Sequence, residues 1–221
     1  MVRARRAFFD AGHYRPVIDA VAEAVATAAP DATDVLDAGC GEGTYLAAVV
    51  AATGAVGWGI DVSKPAVRLA ARRHRDHHYG VASSYRLPFA DGDLDAVVAV
   101  FAPRHFPEWE RVLHPHGVAV VASPGPDHLA GLRALLYERP APHEPRPHVA
   151  DDDTVGAVRV RFELDLDDPS DVANLLQMTP YWWQATVDQQ QQVASRPLAT
   201  PVDVWVTTHR RSAHPGGLTR P

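Results

Sequence analysis

Three glycines, Gly39, Gly41 and Gly43, stand between a short apolar segment and a helical pattern. Glycine lets the backbone turn sharply and approach a ligand without Cβ contacts, and the helix that follows offers free N–H groups. The spacing differs from the dinucleotide fingerprint G-x-G-x-x-G, because Thr44 and Leu46 stand where a third glycine is needed. The loop therefore predicts a cofactor site of another kind, and the alternative is a tight turn without a ligand.

A second chemical signal is Asp61, which follows the apolar segment 56–60. A carboxylate at this point of a βαβ unit can accept hydrogen bonds from both hydroxyls of a ribose, although such a residue also serves as a helix cap. Together with Asp37 and the glycine loop, it resembles the S-adenosylmethionine site of class I methyltransferases. Leu-Pro-Phe at 87–89, followed by Asp95, is another recurring feature of that superfamily.

The resemblance implies S-adenosylmethionine as the cofactor, with S-adenosylhomocysteine as the product. The implied cofactor contacts are Tyr14, Asp37, Gly39, Gly41, Gly43, Asp61, Val62, Ser83, Phe101 and Ala102. Ser83 would lie near the adenine, where members of the superfamily often carry an acidic residue that this chain lacks.

Four further segments resemble the bacterial large-subunit rRNA (guanine-N1)-methyltransferases, including the tylosin-resistance methylases. They are Arg5-Arg-Ala-Phe-Phe-Asp-Ala-Gly-His-Tyr14, Ala102-Pro103, Pro124-Gly-Pro-Asp-His-Leu129 and Gln177-Met-Thr-Pro-Tyr-Trp-Trp-Gln-Ala-Thr186. The resemblance covers about positions 5 to 210. It implies that residues 12–14 help to close over the methionine end of the cofactor, and that the other segments wall the acceptor pocket.

The expected substrate-binding side chains are Pro103, Met178, Tyr181, Trp182 and Trp183. Aromatic side chains stack on flat acceptors, and the alternative for them and for Met178 is core packing. Because three consecutive aromatics on a helix cannot all face one direction, at least one is expected to pack inward. We expect Trp182 and Trp183 to lie near the acceptor.

Two histidines are candidate catalytic bases, since a guanine-like ring N–H must lose its proton on methylation. His105 follows the fourth predicted strand and His128 the fifth, so both are expected at the carboxyl edge of the sheet. The alternative for each is a loop histidine that hydrogen-bonds to the backbone.

Alternating strand and helix patterns must position these residues. Strands are predicted at 34–38, 56–60, 78–82, 95–101, 117–122, 158–164 and 202–208, and helices at 17–25, 44–50, 64–71, 107–113, 129–137 and 168–178. Strands separated by helices favour a parallel sheet covered on both faces. We therefore predict an α/β, Rossmann-like class I methyltransferase fold, with a seven-stranded, mostly parallel sheet and helices on both faces.

Three parts are predicted along the chain. Residues 1–33 form an N-terminal helical extension that closes the cofactor site, residues 34–210 the methyltransferase domain, and residues 211–221 a flexible tail. Repeated prolines from 124 to 147 indicate an irregular loop or lid, and Asp151–Asp153 a solvated loop.

The amino-acid composition limits which cellular compartment and which binding partners can be expected. The chain has 221 residues, a formal charge of −6 and one cysteine, Cys40, which excludes a disulfide framework and any multi-cysteine zinc site. Asp10, Asp19 and Glu23 interrupt what would be the apolar part of a signal peptide, so we predict a cytoplasmic protein without a membrane span.

Two charged or metal-like patterns are interpreted as structural. His74, His77 and His78 lack a matching carboxylate or cysteine set, so no metal is expected. The basic run Arg68, Arg72, Arg73 and Arg75 is interpreted as a solvated helix face, with phosphate contact as the alternative.

The acceptor is the least determined part of the reaction. The family carries an N-terminal four-cysteine zinc module that helps to hold rRNA, and this chain has no cysteines to build one. With the negative charge, this favours N-methylation of a small guanine-like heteroaromatic molecule of specialised metabolism. The alternatives are rRNA guanine-N1 methylation of the macrolide-resistance type without a zinc module, and a catalytically inactive S-adenosylmethionine-binding regulatory protein. The oligomeric state, including a dimer, stays open.

Overall fold

The computed structural model describes residues 1–138, 143 and 154–211. The helices are α1 (Val2–Asp10), α2 (Arg15–Ala28), α3 (Thr44–Thr53), α4 (Lys64–Arg73), α5 (Phe106–Val112), α6 (Ala130–Leu136), α7 (Pro169–Met178) and α8 (Val187–Ala194). The strands are β1 (Asp34–Ala38), β2 (Val56–Asp61), β3 (His78–Val81), β4 (Leu94–Val100), β5 (Leu113–Pro124), β6 (Thr154–Leu166) and β7 (Leu198–Arg210). The prolines at 140, 142, 145 and 147, the acidic segment 151–153 and the tail beyond 211 lie outside the described residues.

The strands form a seven-stranded sheet in the order β3-β2-β1-β4-β5-β7-β6. β1 pairs in parallel with both β2 and β4, and β2–β3 and β4–β5 are also parallel, while the sheet includes some antiparallel pairs. The prediction of a seven-stranded, mostly parallel sheet is confirmed. Because the carboxyl ends of parallel strands meet at one edge, β1 to β4 end together where the predicted cofactor residues follow them.

The central strands consist of continuous runs of apolar residues because they are buried in the core. Leu36, Val97 and Val121 are buried in one cluster with Trp109 of α5, as expected for strands covered on both faces. Helix α2 buries a stripe of residues at helical spacing, namely Val17, Ile18, Val21, Ala22 and Val25.

Two helices begin where the sequence predicts. Ser63 accepts a hydrogen bond from the Ala66 N–H at 3.4 Å and caps α4, with proline in its first turn. Asp168 caps α7 by accepting a hydrogen bond from the Ser170 N–H at 2.8 Å.

Three helical elements lie outside the individual helices that the sequence predicts, although α1 falls within the predicted helical extension 1–33. Helix α1 is rich in arginine, and it is stabilised by buried Phe8 and Phe9 and by packing against α7, which no local pattern reveals. A 3₁₀ helix spans Pro180–Trp183. Helix α8 starts with a capping box in which the Thr186 and Gln189 side chains bond each other's backbone, a signal that was readable in the sequence.

The chain separates into two compact units. The sheet unit contains Val17–Ser123, 154–158 and 205–211, and the second unit contains Met1–Pro16, 124–138 with 143, and Arg159–Val204. This grouping divides the predicted 1–33 extension after Pro16, because α1 packs on α7 of its own unit. No helix in the described ranges is long and apolar enough to cross a membrane.

Candidate functional site

The glycine loop lies between β1 and α3 in a backbone conformation that suits glycine. Gly39, Gly41 and Gly43 have φ of +110°, +56° and +89°, a region that residues with a Cβ rarely adopt. A Cβ on Gly39 would lie 2.6 Å from the Cβ of Ala102. The loop is therefore shaped by close approach to the segment that follows β4.

The loop N–H groups are already used within the protein. Gly39 and Cys40 both donate to the Ile60 carbonyl at 2.9 Å, and Gly43 donates to the Cys40 carbonyl at 2.9 Å. The end of β2 therefore ties the loop down, and the free N–H groups expected of this site stay a prediction for the start of α3. These three residues therefore allow a ligand to approach the backbone closely, but their N–H groups do not serve as hydrogen-bond donors to it.

Asp61 holds the loop in place. One carboxylate oxygen accepts from the Gly41 N–H at 3.0 Å and the other from the Ser63 N–H at 2.7 Å. The side chain thereby connects the loop to the start of α4. Each carboxylate oxygen has two acceptor sites, so Asp61 keeps capacity for the hydroxyls of a ligand.

Tyr79 lies under the loop and was missed by the sequence reasoning. A Cβ on Gly43 would come within 2.6 Å of its hydroxyl, and a Cβ on Gly59 within 2.6 Å of its ring. Burial, followed by the electrostatic effect of Cys40, Asp37 and Glu42, raises the pKa of Tyr79. Gly43 is thus required by the packing of Tyr79, whether or not it approaches a ligand.

Two acidic side chains are buried around the loop. Asp37 at the end of β1 is 1% exposed, and Glu42 within the loop is fully buried. The sequence singled out Asp37 and missed Glu42, although its place between two loop glycines was a usable signal. Carboxyl groups buried at this edge of the sheet can accept hydrogen bonds from the N–H groups of a ligand.

The segment after β4 carries unusual backbone geometry. Phe101 has φ +52°, rare for a residue with a side chain, and it is 40% exposed. Such a conformation costs about 1–3 kcal/mol and is typical of functional sites. Ala102 contacts the glycine loop as described, and Pro103 is exposed. Phe101 and Ala102 therefore lie at the same sheet edge as Gly39.

His105 precedes α5 with its Nδ1 buried and without a hydrogen-bond partner in the described part of the chain. Its ring lies 5.3 Å from the ring of Tyr85, which is 59% exposed. A buried nitrogen without a partner costs free energy, so it is a place where a ligand proton could bind.

The other predicted residues of this edge are exposed. Val62 is 74% exposed, and Ser83 forms a bridge with Arg86 just after β3. The Leu-Pro-Phe segment is held by α5, since Arg111 donates to the carbonyls of Leu87 and Phe89 and Glu108 accepts from the Leu87 N–H. These contacts give the segment a structural role.

The second unit contains His128, whose predicted role as a base does not fit its surroundings. Its Nδ1 accepts from the Asp203 N–H at 3.3 Å, and its Nε2 lies 3.4 Å from the Tyr14 hydroxyl. Burial, followed by repulsion from His143, lowers the pKa of His128 to about 3. A neutral ring whose basic nitrogen faces a backbone N–H is a weak proton acceptor, so the geometry favours the structural alternative.

Asp203 organises the loop that carries His128. Its buried carboxylate receives two hydrogen bonds from Arg159, at 2.7 and 3.0 Å, and one from the Asp127 N–H at 3.1 Å. Gly125 is in contact with this carboxylate and has no room for a Cβ. The pKa of the Asp203 carboxyl is below its usual value, mainly because Arg159 donates hydrogen bonds to it.

The aromatic segment of the second unit is less buried than expected. The Tyr181 hydroxyl lies 3.0 Å from His143 Nε2, and the Trp182 carbonyl accepts from Gln190. Trp183 is 73% exposed and Met178 is half-buried. None of the three aromatics is buried, because a short 3₁₀ helix at the surface holds them rather than a core helix. Tyr181 and Trp182 are partly buried, so the expectation of one inward-packed ring stays a prediction.

The predicted residues thus fall into two groups. Asp37, the three glycines, Asp61, Val62, Ser83, Phe101 to Pro103 and His105 belong to the sheet unit, while Tyr14, His128, Met178 and 181–183 belong to the second. His143, 6.2 Å from the His128 ring, was not singled out by the sequence.

The histidines near α4 show no metal geometry. His78 stacks on Trp58 with ring centroids 4.3 Å apart, and His74 stacks on His77. Within the described ranges no three histidine, cysteine, aspartate or glutamate side chains are grouped so that they could hold a metal ion.

Comparison with known proteins identifies the family. Residues 35–118 match the model of a "Methyltransferase domain" family. The chain is 37% identical over 227 residues to the "23S rRNA (guanine(748)-N(1))-methyltransferase" of Streptomyces fradiae, covering 94% of this chain and 77% of that protein. The chain belongs to the bacterial 23S rRNA (guanine-N1)-methyltransferase family. It is a methyltransferase of the S-adenosylmethionine-dependent class.

A further relative and a solved structure are also similar to this chain. A "Putative 23S rRNA (guanine-N(1)-)-methyltransferase" of Micromonospora griseorubida is 43% identical over 148 residues, which cover 60% of this methyltransferase and half of that relative's length. A methyltransferase-like structure from Bacillus halodurans C-125 superposes with a TM-score of 0.58 at 14% identity, covering 87% of this chain and 99% of the other. This likeness confirms the predicted Rossmann-like class I fold.

Proposed function

We propose that this methyltransferase transfers the methyl group of S-adenosylmethionine to N1 of a guanine in 23S rRNA. The proposal rests first on family membership, since both curated relatives described above are named for this reaction. It replaces the small heteroaromatic acceptor that the sequence favoured, for which those relatives offer no support. The net charge of −6 describes the whole chain, and it leaves room for a local surface that attracts RNA.

The residues at the carboxyl edge of the sheet fit the cofactor. S-adenosylmethionine carries an ammonium group, a sulfonium group and two ribose hydroxyls. The carboxyl oxygens of the buried Asp37 and Glu42 can accept hydrogen bonds from the ammonium group, and Asp61 has acceptor capacity left for a hydroxyl. The loop approaches Ala102 at a spacing that only glycine allows, so the cofactor can lie against backbone.

Positioning supplies much of the rate in this reaction. When bound, S-adenosylmethionine supplies a methyl group on a positively charged sulfur, which is already an activated electrophile. The strained turn at Phe101, next to Ala102 and Pro103, is suited to hold an acceptor ring so that its nitrogen lies about 3–3.5 Å from that methyl group.

His105 is the base that we assign to the reaction. Its buried Nδ1 lacks a hydrogen-bond partner in the described chain and lies just beyond the end of β4. His105 would accept the N1–H proton, so that the N1 electron pair is free to bond to the methyl carbon. The leaving sulfur would keep the electron pair of its bond to carbon as a neutral thioether.

The experiment that tests this function compares two kinds of acceptor with isotopically labelled cofactor. An in vitro transcript of 23S rRNA and a panel of guanine-like heterocycles are each incubated with the protein and analysed by mass spectrometry after nuclease digestion. We expect label in 1-methylguanosine from the transcript and none in the heterocycles. Label in a heterocycle but not in rRNA would overturn the proposal, and label in neither would favour the inactive binding protein.

A further inference from the structure

The outer face of α4 carries a stripe of cations in a chain with net negative charge. Lys64, Arg68 and Arg72 are spaced by four residues, and Arg75 follows just after the helix. All four are exposed, and none forms an ion pair within the residues that the structure describes. We call these four residues the α4 basic stripe.

Helix geometry places the stripe opposite the core. Successive residues are rotated by about 100°, so Lys64, Arg68 and Arg72 lie within about 80° of one another. The buried side chains Ala66, Val67 and Ala70 lie on the opposite side of the helix. The cations therefore point away from the sheet, about 6 Å apart along the helix axis.

We propose that the α4 basic stripe binds the phosphates of an RNA strand whose target base enters the cofactor edge of the sheet. This inference rests on the proposed rRNA substrate and adds the surface that holds it. Helix α4 starts three residues after the end of β2, so the stripe begins at the rim where Asp61 contacts the glycine loop. From there it leads away from the rim along an exposed face.

The composition of the face favours phosphate over other partners. From Ser63 to Arg75 the chain has no acidic residue, and Asp76 is the first that follows. The exposed residues among the cations are small, such as Pro65 and Ala71, so no large apolar side chain is available to insert into a membrane. Three of the four cations are arginines, which bind phosphate through two parallel hydrogen bonds.

The stripe explains how a protein of charge −6 could hold rRNA. Association with a polyanion depends on the local field at the contact, and released counterions supply most of the non-specific free energy. An unpaired row of cations at the rim suits this role, whereas a merely solvated face would contribute nothing to RNA affinity.

The test uses two charge-matched double variants of the whole chain. Arg68→Gln/Arg72→Gln removes two cations from the stripe, and Gln keeps a helix propensity close to that of Arg. Arg3→Gln/Arg196→Gln removes two exposed cations, each without an ion pair in the described residues, from the other unit. Binding to a 23S rRNA transcript is measured by filter retention between 0.05 and 0.3 M KCl, an assay range on the order of physiological salt.

We expect the stripe variant to lower the slope of log affinity against log salt by about 1.4–1.8, since each phosphate contact contributes about 0.7–0.9. At 0.1 M salt this corresponds to a loss of about 25- to 60-fold in affinity. The control variant should keep the wild-type slope. If the two variants have the same RNA affinity and salt dependence, the proposal is wrong. It is also wrong if the stripe variant loses binding to phosphatidylserine vesicles or to an acidic protein while its RNA binding is unchanged.

The same samples separate this inference from the proposed function. Calorimetry with S-adenosylmethionine and a urea unfolding curve show that both variants stay folded and bind cofactor. If the wild type binds the transcript through the stripe but never methylates it, the proposed function is wrong and the proposed RNA-binding role of the stripe is supported. If both variants methylate and bind the transcript as the wild type does, the proposed function stands and the stripe is wrong.

Discussion

Replacing Gly39 with alanine tests the close approach that shapes the candidate site. The new Cβ would lie 2.6 Å from the Ala102 Cβ, and the backbone would have to keep φ near +110°. Overpacking costs about 1–3 kcal/mol, and a non-glycine residue in such a conformation costs about 1–3 kcal/mol more. We therefore expect Gly39→Ala to lower the free energy of unfolding by about 2–6 kcal/mol.

Ala102→Gly separates the two contributions, because it removes the atom that the new Cβ meets. Alone it should cost about 0.4–1 kcal/mol through the entropy of the unfolded chain. In the double variant the steric contribution disappears while the backbone strain remains. The double-mutant cycle should therefore show a coupling of about 1–3 kcal/mol that favours folding.

Urea unfolding of the four proteins measures the cycle, with the slope of each curve checked for two-state behaviour. A coupling near zero would mean that Gly39 and Ala102 do not touch. The arrangement of the glycine loop against the end of β4 would then be wrong, and with it the placement of Phe101 beside the cofactor. Gly54→Ala serves as a control, because Gly54 also has positive φ, +75°, but no atom within 4 Å of an added Cβ.

Asp61→Asn should weaken S-adenosylmethionine binding at least tenfold, since it disturbs the Gly41 contact and the remaining acceptor sites; unchanged affinity in calorimetry would contradict this. His105→Ala should lower kcat on rRNA by about 10²–10⁴-fold with cofactor affinity unchanged, whereas the exposed control His116→Ala should not; equal losses would remove His105 as the base. Asp203→Asn should destabilise the protein by about 3 kcal/mol or less, because Arg159 remains partly exposed to water. The pKa of Asp203 is lowered, so its contribution is present above the unfolded pKa of about 3.9 and is lost as pH falls further; the stability difference between wild type and variant should shrink in acid, and a constant difference would contradict it.

Much of the secondary structure could be predicted from local patterns. The apolar segments of β1, β2 and β4 and the caps Ser63 and Asp168 are local features, and each led to an element that the structure confirms. The glycine spacing also located the loop, because positive φ is demanded at those positions by the turn itself.

The place of Tyr79 and the surroundings of His128 could not be predicted for one physical reason, which is that the deciding contacts join distant parts of the chain. Tyr79 comes near Gly43 only after β3 pairs with β2, and His128 becomes a poor base only when β7 brings the Asp203 N–H to its ring. Neither relation has a signal in the local sequence.

The sequence by itself determined the order of the seven strands, the glycine loop and the family, because these depend on residue types at short spacing. Tertiary structure alone decided that Asp61 holds the loop and that His128 Nδ1 accepts from a backbone N–H. Within the described residues it also leaves His105 Nδ1 without a hydrogen-bond partner and the four cations of the α4 basic stripe without an ion pair. Burial and hydrogen-bond competition depend on what packs nearby, and residues far apart in the chain supply those neighbours.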